Sequence, residues 1–157
     1  MRDVCDKGNT ADRGPGSAAA MIESVRKWAE RRDDIRALVL VGSHARGDAR
    51  SDSDIDLVLL CTDPAGYVLR TDWVSAFGEV VRSSLEDWGK VQSVRVLYRN
   101  GTEVEFGVTG LDWAAIPPDR GTSDVLGNGT VILLDRGALL SRVMQVMRGF
   151  ATPPEGR

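Results

Sequence analysis

The sequence contains few of the residues that build metal-thiolate sites, disulfide frameworks or membrane spans. Its 157 residues include only two cysteines, Cys5 and Cys61, and a single histidine, His44. Without a Cys-x-x-Cys or Cys and His spacing, a zinc site is excluded and both thiols are expected to be free. No run approaches the about 18 consecutive apolar residues of a transmembrane helix, and no apolar signal core is present. These absences predict a cytoplasmic protein without a membrane partner.

An excess of positive charge is also absent. The net charge of −3 argues against non-specific nucleic-acid binding and against a template-directed polymerase. No internal repeat or low-complexity segment interrupts the chain. The sequence therefore predicts one domain at residues 17–150, between a disordered leader at residues 1–16 and a disordered tail at residues 151–157.

The most informative stretch consists of two apolar strands joined by a polar loop. The first strand, Leu38–Val41, is followed by Gly42 and Ser43, whose backbone N–H groups and hydroxyl suit phosphate oxygens. The second strand opens with Asp54 and Asp56, which lie on the same face because strand side chains alternate. Their mutual repulsion predicts a cation between them, and Mg²⁺ is a hard cation that prefers carboxylate, phosphate and water oxygens.

Two other loop motifs fail on particular residues of this stretch. A phosphate-binding P-loop requires lysine after its second glycine, whereas Asp48 and Ala49 follow Gly47. A calcium-binding EF-hand loop starting at Asp52 requires glycine at position 57, which is Leu57. Neither motif is therefore predicted.

A β-hairpin downstream offers a third carboxylate. Residues 91–99 and 102–109 are predicted to pair as strands around Asn100-Gly101, the preferred two-residue type I′ turn. In the second strand Glu103 and Glu105 lie on the same face. The spacing alone does not choose between these two glutamates.

Apolar spacing predicts the remaining elements. A helix capped by Ser17 is expected to end near Asp33, and a second helix is expected from Thr71 or Asp72 to Trp88, with Gly89 as its C-cap and its tryptophans in the core. The other predictions are a loop at 61–66, a long connection at 111–129 containing a short helix at 123–126, a strand at 130–134 and a closing helix at 138–147.

The pattern Gly42-Ser43, ten residues, Asp54-x-Asp56, together with Ala45-Arg46-Gly47 and Ser53, resembles the nucleotidyltransferase superfamily of the DNA polymerase β-like fold. It looks most like the minimal and the small antibiotic nucleotidyltransferases. The resemblance implies an α/β (α+β) fold with a mixed central sheet of about five strands flanked by helices. It also implies a third carboxylate, for which Glu105 in Glu103-Val104-Glu105-Phe106-Gly107 matches the pattern of relatives and Glu103 is the rival.

The same resemblance implies transfer of a nucleoside monophosphate, expected to be AMP from ATP, onto a hydroxyl group with release of pyrophosphate. Asp54, Asp56 and Glu105 would hold two Mg²⁺ ions. Gly42 and Ser43 would bind the phosphates of the nucleoside triphosphate (NTP). The nucleotide-binding arginines would be Arg46 and, as a weaker candidate, Arg50. Since the metals can activate the acceptor, His44 is expected to be a bystander.

The acceptor stays open at this point. It is either a small hydroxylated molecule bound at a homodimer interface or a side chain of a partner toxin, as in the minimal nucleotidyltransferases. The alternative function is an antitoxin-like binding protein of the same fold.

Overall fold

The computed structural model describes residues 15–151. Most of the disorder predicted at residues 1–16 and 151–157 therefore lies outside the described part, but Pro15, Gly16 and Ala151 belong to helices. The helices are α1 (Pro15–Glu30), α2 (Gly42–Arg46), α3 (Pro64–Leu69), α4 (Arg120–Gly127) and α5 (Leu139–Ala151). The strands are β1 (Ile35–Val41), β2 (Ile55–Cys61), β3 (Val80–Trp88), β4 (Val91–Tyr98), β5 (Glu103–Thr109) and β6 (Thr130–Asp135), with 3₁₀ turns at Asp72–Phe77, Leu111–Ala114 and Arg136–Ala138.

The six strands form a single mixed sheet in the order β3-β4-β5-β2-β1-β6. β2 and β5 are parallel, and the other neighbouring strands are antiparallel. This confirms the predicted mixed sheet flanked by helices, with six strands instead of about five. The parallel pair matters most for function because it brings the start of β2 beside the start of β5.

Each face of the sheet carries its own apolar cluster. On one face, α1, α3 and the first 3₁₀ turn cover the sheet, and Trp73 stacks on Trp28 with ring centroids 5.2 Å apart. Trp73 also meets the buried ring of Phe106 edge-on at 5.0 Å. On the other face, α4 and α5 bury Leu126 and Leu140 against β1 and β2. None of the helices in the described part of the chain combines the length and the apolar character needed to cross a bilayer.

The helix predicted from Thr71 or Asp72 to Trp88 is wrong. The chain forms a 3₁₀ turn that ends at Phe77, and after Gly78 it becomes the edge strand β3. Its Val-Val-Arg-Ser-Ser stretch favours a strand over a helix, and pairing with β4 decides between the two. Trp73 lies in the core as expected, whereas Trp88 is 63% exposed, and Gly89 lies in the turn between β3 and β4 instead of capping a helix.

Several element boundaries also differ from the prediction. Helix α1 starts at Pro15, so Ser17 lies inside it, and it ends at Glu30. Helix α3 occupies part of the predicted loop at residues 61–66, since proline at its first position is compatible with a helix start. The short helix, the last strand and the closing helix are confirmed with longer bounds.

The hairpin of β4 and β5 is confirmed, but its turn is one residue longer than predicted. The amide of Tyr98 donates to the carbonyl of Thr102 at 2.9 Å, which leaves a three-residue loop whose last residue, Gly101, has a φ of +92°. A glycine at positive φ is typical of the bulge that closes such loops. The register therefore pairs Arg95 with Glu105 and places both side chains on one face of the sheet.

Candidate active site

A row of directly paired residues crosses the sheet and carries the charged side chains. Val41 pairs with Asp56, Asp56 with Glu105, and Glu105 with Arg95. Since directly paired residues project to the same face, Asp56, Glu105 and Arg95 stand side by side. Asp54 precedes β2 by one residue and faces the same way as Asp56, as the sequence predicts.

Arg95 is the centre of an ion-pair network with four carboxylates. Its Nη1 donates to Asp54 Oδ2 and its Nη2 to Glu105 Oε1, both at 2.9 Å. Longer contacts join Nε to Glu86 Oε2 at 3.3 Å and Nη1 to Glu103 Oε2 at 3.4 Å. The two short bonds form a planar fork that bridges two of the three predicted metal ligands.

Asp56 lies in the least favourable electrostatic environment of the row. Burial, and next the charges of Glu105 and Asp54, raise the pKa of the Asp56 carboxyl to about 6, although Arg95 opposes them. Gly42 abuts this carboxylate, and a Cβ at that position would collide with Asp56 Oδ2. Gly42 also has a φ of +77°, so a larger residue is disfavoured on two grounds.

Replacing Asp56 by asparagine should stabilise the metal-free protein above pH 6. The folded-state pKa lies above the ordinary aspartate value of 3.8, so the native state binds the extra proton and wild-type stability falls as pH rises from about 4 to 6. After allowance for solvent screening at this half-buried group, we expect a gain of about 1–2 kcal/mol at pH 7.5. Chemical denaturation in EDTA at pH 7.5 and pH 4 measures it, with the exposed Asp33→Asn as control. A gain that is equal at both pH values would contradict this account.

The predicted phosphate-binding residues lie on α2 and the loop after it. Gly42 and Ser43 begin α2, directly after β1 and next to Asp56. The Arg46 guanidinium contacts the carbonyl of Asn128 at 3.1 Å and Asp48 at 3.3 Å, so it is held away from the carboxylate row in this structure.

His44 and Arg50 are also separate from the row. His44 Nε2 lies 3.3 Å from the carbonyl of Ser53, and His44 and Arg50 line a small cleft of about 190 Å³ against α1. The structure brings together Asp54, Asp56, Glu105 and Glu103, and it does not bring Arg50 to them.

A larger cleft of about 620 Å³ opens beside the row on the same face of the sheet. Asp56 and Glu105 lie on one wall, and Trp88 and Trp113 contribute aromatic surface. The Oγ1 of Thr122, which also lines the cleft, is buried without a hydrogen-bond partner. A cleft of this size, with few polar groups in an apolar lining, is typical of a small-molecule site.

The oxygen donors of the row fit a hard divalent cation. Asp54, Asp56 and Glu105 supply carboxylates, and Asp56 and Glu105 stand side by side on paired strands, where a cation would relieve their mutual repulsion. Within residues 15–151, however, no three acidic, histidine or cysteine side chains are gathered closely enough to ligate a metal as they stand. The Arg95 guanidinium takes the bridging place between Asp54 and Glu105.

The sequence reasoning missed Arg95, Glu86 and the cleft lined by Trp88. The alternation Val94-Arg95-Val96 in a predicted strand shows that Arg95 faces away from the apolar side. A helix that extends to Trp88, as the sequence predicts, does not place Glu86 and Trp88 beside these carboxylates.

Paired strands, adjacent carboxylates and a glycine-serine helix start together define a member of the nucleotidyltransferase superfamily. The model of the family described as streptomycin adenylyltransferase matches residues 17–149, and the chain belongs to that family. No curated protein matches the sequence.

Solved structures give more distant similarity. An aminoglycoside 6-adenyltransferase from Bacillus subtilis matches at 17% identity and a TM-score of 0.49, over 71% of this chain and 38% of its own. The Cid1 poly(U) polymerase matches at 17% identity and a TM-score of 0.38, over 66% of this chain and 31% of its own. The chain thus spans 38% of the length of the first protein and 31% of the second.

Proposed function

We propose that the protein transfers a nucleoside monophosphate, with ATP as the donor, to a hydroxyl of a small molecule in the cytoplasm and releases pyrophosphate. The observation that carries this proposal is the row of Asp54, Asp56 and Glu105 at the wall of a cleft large enough for a small molecule. Membership of the streptomycin adenylyltransferase family supports the choice of donor and of acceptor class.

The carboxylates of Asp54, Asp56 and Glu105 would hold two Mg²⁺ ions. Bound there, the metal would neutralise charge on the transferring phosphoryl group and lower the pKa of the acceptor hydroxyl. Asp54 and Asp56 fix the ligand positions because both belong to the start of β2, which is paired on both sides. Glu105 stands where it can accept the proton of the acceptor hydroxyl.

Ser43 and the first amides of α2 would bind the triphosphate, and the close approach of backbone to Asp56 requires Gly42. Arg46, at the end of the same short helix, would leave Asn128 and Asp48 to neutralise the departing pyrophosphate. Exchange of these exposed contacts for a phosphate is favourable because a guanidinium fork binds phosphate oxygens with two bonds. The proposal assigns no role in transfer to His44 and keeps Arg50 as a secondary phosphate contact.

The cleft would hold the acceptor. Trp88 and Trp113 offer flat apolar surface for a ring, and the polar side chains of Ser93 and Thr122 also line the cleft. The ion pair between Lys90 and Asp119, 2.9 Å long, lies at the same cleft and gives charged contacts. This mixture fits a hydroxylated ring compound better than a hydrophobic one.

The test is a transfer assay with each of the four NTPs, Mg²⁺ and a panel of aminocyclitol and other polyhydroxylated acceptors. We expect pyrophosphate and a nucleotidylated acceptor to form in equal amounts with ATP. Trp88→Ala, which removes exposed aromatic surface from the cleft, should raise the KM for the acceptor and leave the KM for ATP unchanged. Pyrophosphate release without labelled acceptor, or no turnover with any acceptor, would count against the proposal.

A further inference from the structure

Arg95 occupies the position between the carboxylates where a cation is required. Its fork makes equal bonds of 2.9 Å to Asp54 and Glu105, which belong to different strands. The Arg95 side chain is only 27% exposed, so these bonds are partly desolvated and stronger than surface ion pairs. The Arg95 guanidinium therefore holds the carboxylates of Asp54 and Glu105 together while no metal is bound.

Arg95 compensates only part of the local negative charge. Five carboxylates, those of Asp54, Asp56, Glu86, Glu103 and Glu105, lie around the Arg95 guanidinium. Asp56 has no share in the fork, although it pairs directly with Glu105. A divalent ion would supply more positive charge than Arg95 does, and from a position that also reaches Asp56.

Glu86 gives the displaced guanidinium an alternative partner. Its Oε2 already lies 3.3 Å from Arg95 Nε, and its Oε1 is buried without a hydrogen-bond partner. A guanidinium that released Asp54 and Glu105 could complete a two-bond pair with Glu86. Arg95 would then exchange partners without becoming an unpaired charge in a partly buried site, which would be costly.

We propose that Arg95 is the internal counter-cation of the substrate-free site, and that a divalent cation displaces it from Asp54 and Glu105 towards Glu86. Arg95 is then a positioning residue that keeps the carboxylates together before the metal binds and competes with the metal for them. The inference rests on the proposed function, because it concerns the same carboxylates.

The direct test is titration of the nucleotide-free protein with Mn²⁺, followed by the electron paramagnetic resonance of free Mn²⁺. Arg95→Met removes the competing charge, so it should tighten Mn²⁺ binding by about tenfold or more. The matched control is Arg99→Met, since Arg99 follows the same strand, is 68% exposed and pairs only at the surface with Glu79. Arg99→Met should bind Mn²⁺ as the wild type does.

Thermal melting gives a second readout that does not depend on catalysis. In EDTA, Arg95→Met should melt below the wild type because the carboxylates lose their counter-cation. Saturating Mn²⁺ should restore its Tm to that of the metal-bound wild type. Should Arg95→Met fail to fold, Arg95→Lys retains the charge without the fork and should bind Mn²⁺ more tightly than the wild type.

Mn²⁺ binding to Arg95→Met, or to Arg95→Lys, that is no tighter than to the wild type would overturn the proposal, and would show that Arg95 merely shapes the ligands. The Asp54→Asn, Asp56→Asn variant separates this outcome from failure of the proposed function. If that variant binds Mn²⁺ as the wild type does, the carboxylates are not the metal ligands, and both proposals fall. If it loses Mn²⁺ while the Arg95 variants bind no tighter, only the role of Arg95 is wrong.

Discussion

The double variant Asp54→Asn, Asp56→Asn should lose about a thousandfold in kcat/KM for nucleotidyl transfer while retaining its fold. Asparagine keeps the size of both side chains but removes the two charges that would hold divalent cations, and metal stabilisation of a phosphoryl transition state is worth several kcal/mol. At about 1.4 kcal/mol for each factor of ten, a loss of about 4 kcal/mol gives this thousandfold effect. The measurement is pyrophosphate release at saturating Mg²⁺, beside the circular dichroism of both proteins.

The control for this prediction is Asp33→Asn, Asp72→Asn, which makes the same chemical change at two exposed positions. Asp33 precedes β1 at the end of the strand remote from Val41 and Asp56, and Asp72 begins a 3₁₀ turn against the other face of the sheet. This control should transfer at the wild-type rate. Retention of more than about a tenth of the activity in the Asp54 and Asp56 variant would disprove the metal-ligand assignment.

The residues that act locally could be predicted from the sequence. Asp54 and Asp56 share a face because alternation along a strand does not depend on the rest of the fold. Gly42 and Ser43 follow a buried strand, and their position beside Asp56 needs only the pairing of two consecutive strands. These parts of the site can therefore be recognised from a single stretch of about twenty residues.

The residues that meet through distant pairing could not be predicted in the same way. Arg95 faces Glu105 because the hairpin loop has three residues, Arg99, Asn100 and Gly101. The predicted two-residue turn would shift the register by one, pair Glu105 with Val96, and turn Arg95 to the opposite face. One residue in a turn thus decides whether the site contains a guanidinium.

The edge strand β3 shows a second limit of sequence reasoning. Trp73, Phe77, Val81, Leu85 and Trp88 have the spacing of a helix face, so periodicity alone favours a helix. Leu85 and Trp88 are more than half exposed, because β3 is an edge strand that hydrogen-bonds to β4 but buries few of its own side chains. Pairing with β4 thus decided the structure of this segment against its local periodicity. Because the prediction of a helix was wrong, it gave no sign that Glu86 and Trp88 belong to the site.

Exchanging Glu105 for glutamine should reduce kcat/KM by about a hundredfold, whereas Glu103→Gln should change it by less than about threefold. Glu105 pairs directly with Asp56 on the parallel strand, and its side chain is 19% exposed. Glu103 lies two residues earlier on the same face, is 32% exposed, and touches Arg95 only at 3.4 Å. The parallel register sets Glu103 beside Asp54 and Glu105 beside Asp56, so Glu103 lies at the margin of a metal site centred on Asp56.

The two glutamine variants are controls for each other because each removes one charge and one contact to Arg95. If the loss of one negative charge were the cause, both variants would lose activity to the same extent. A larger loss in Glu105→Gln therefore indicates a direct role of Glu105 at the reacting centre. Titration with Mn²⁺ should follow the same order, with weaker binding in Glu105→Gln. The reverse order would assign the third carboxylate to Glu103. The centre of the site would then lie beside Asp54, because the parallel register of β2 and β5, extended by one pair, sets Glu103 next to Asp54.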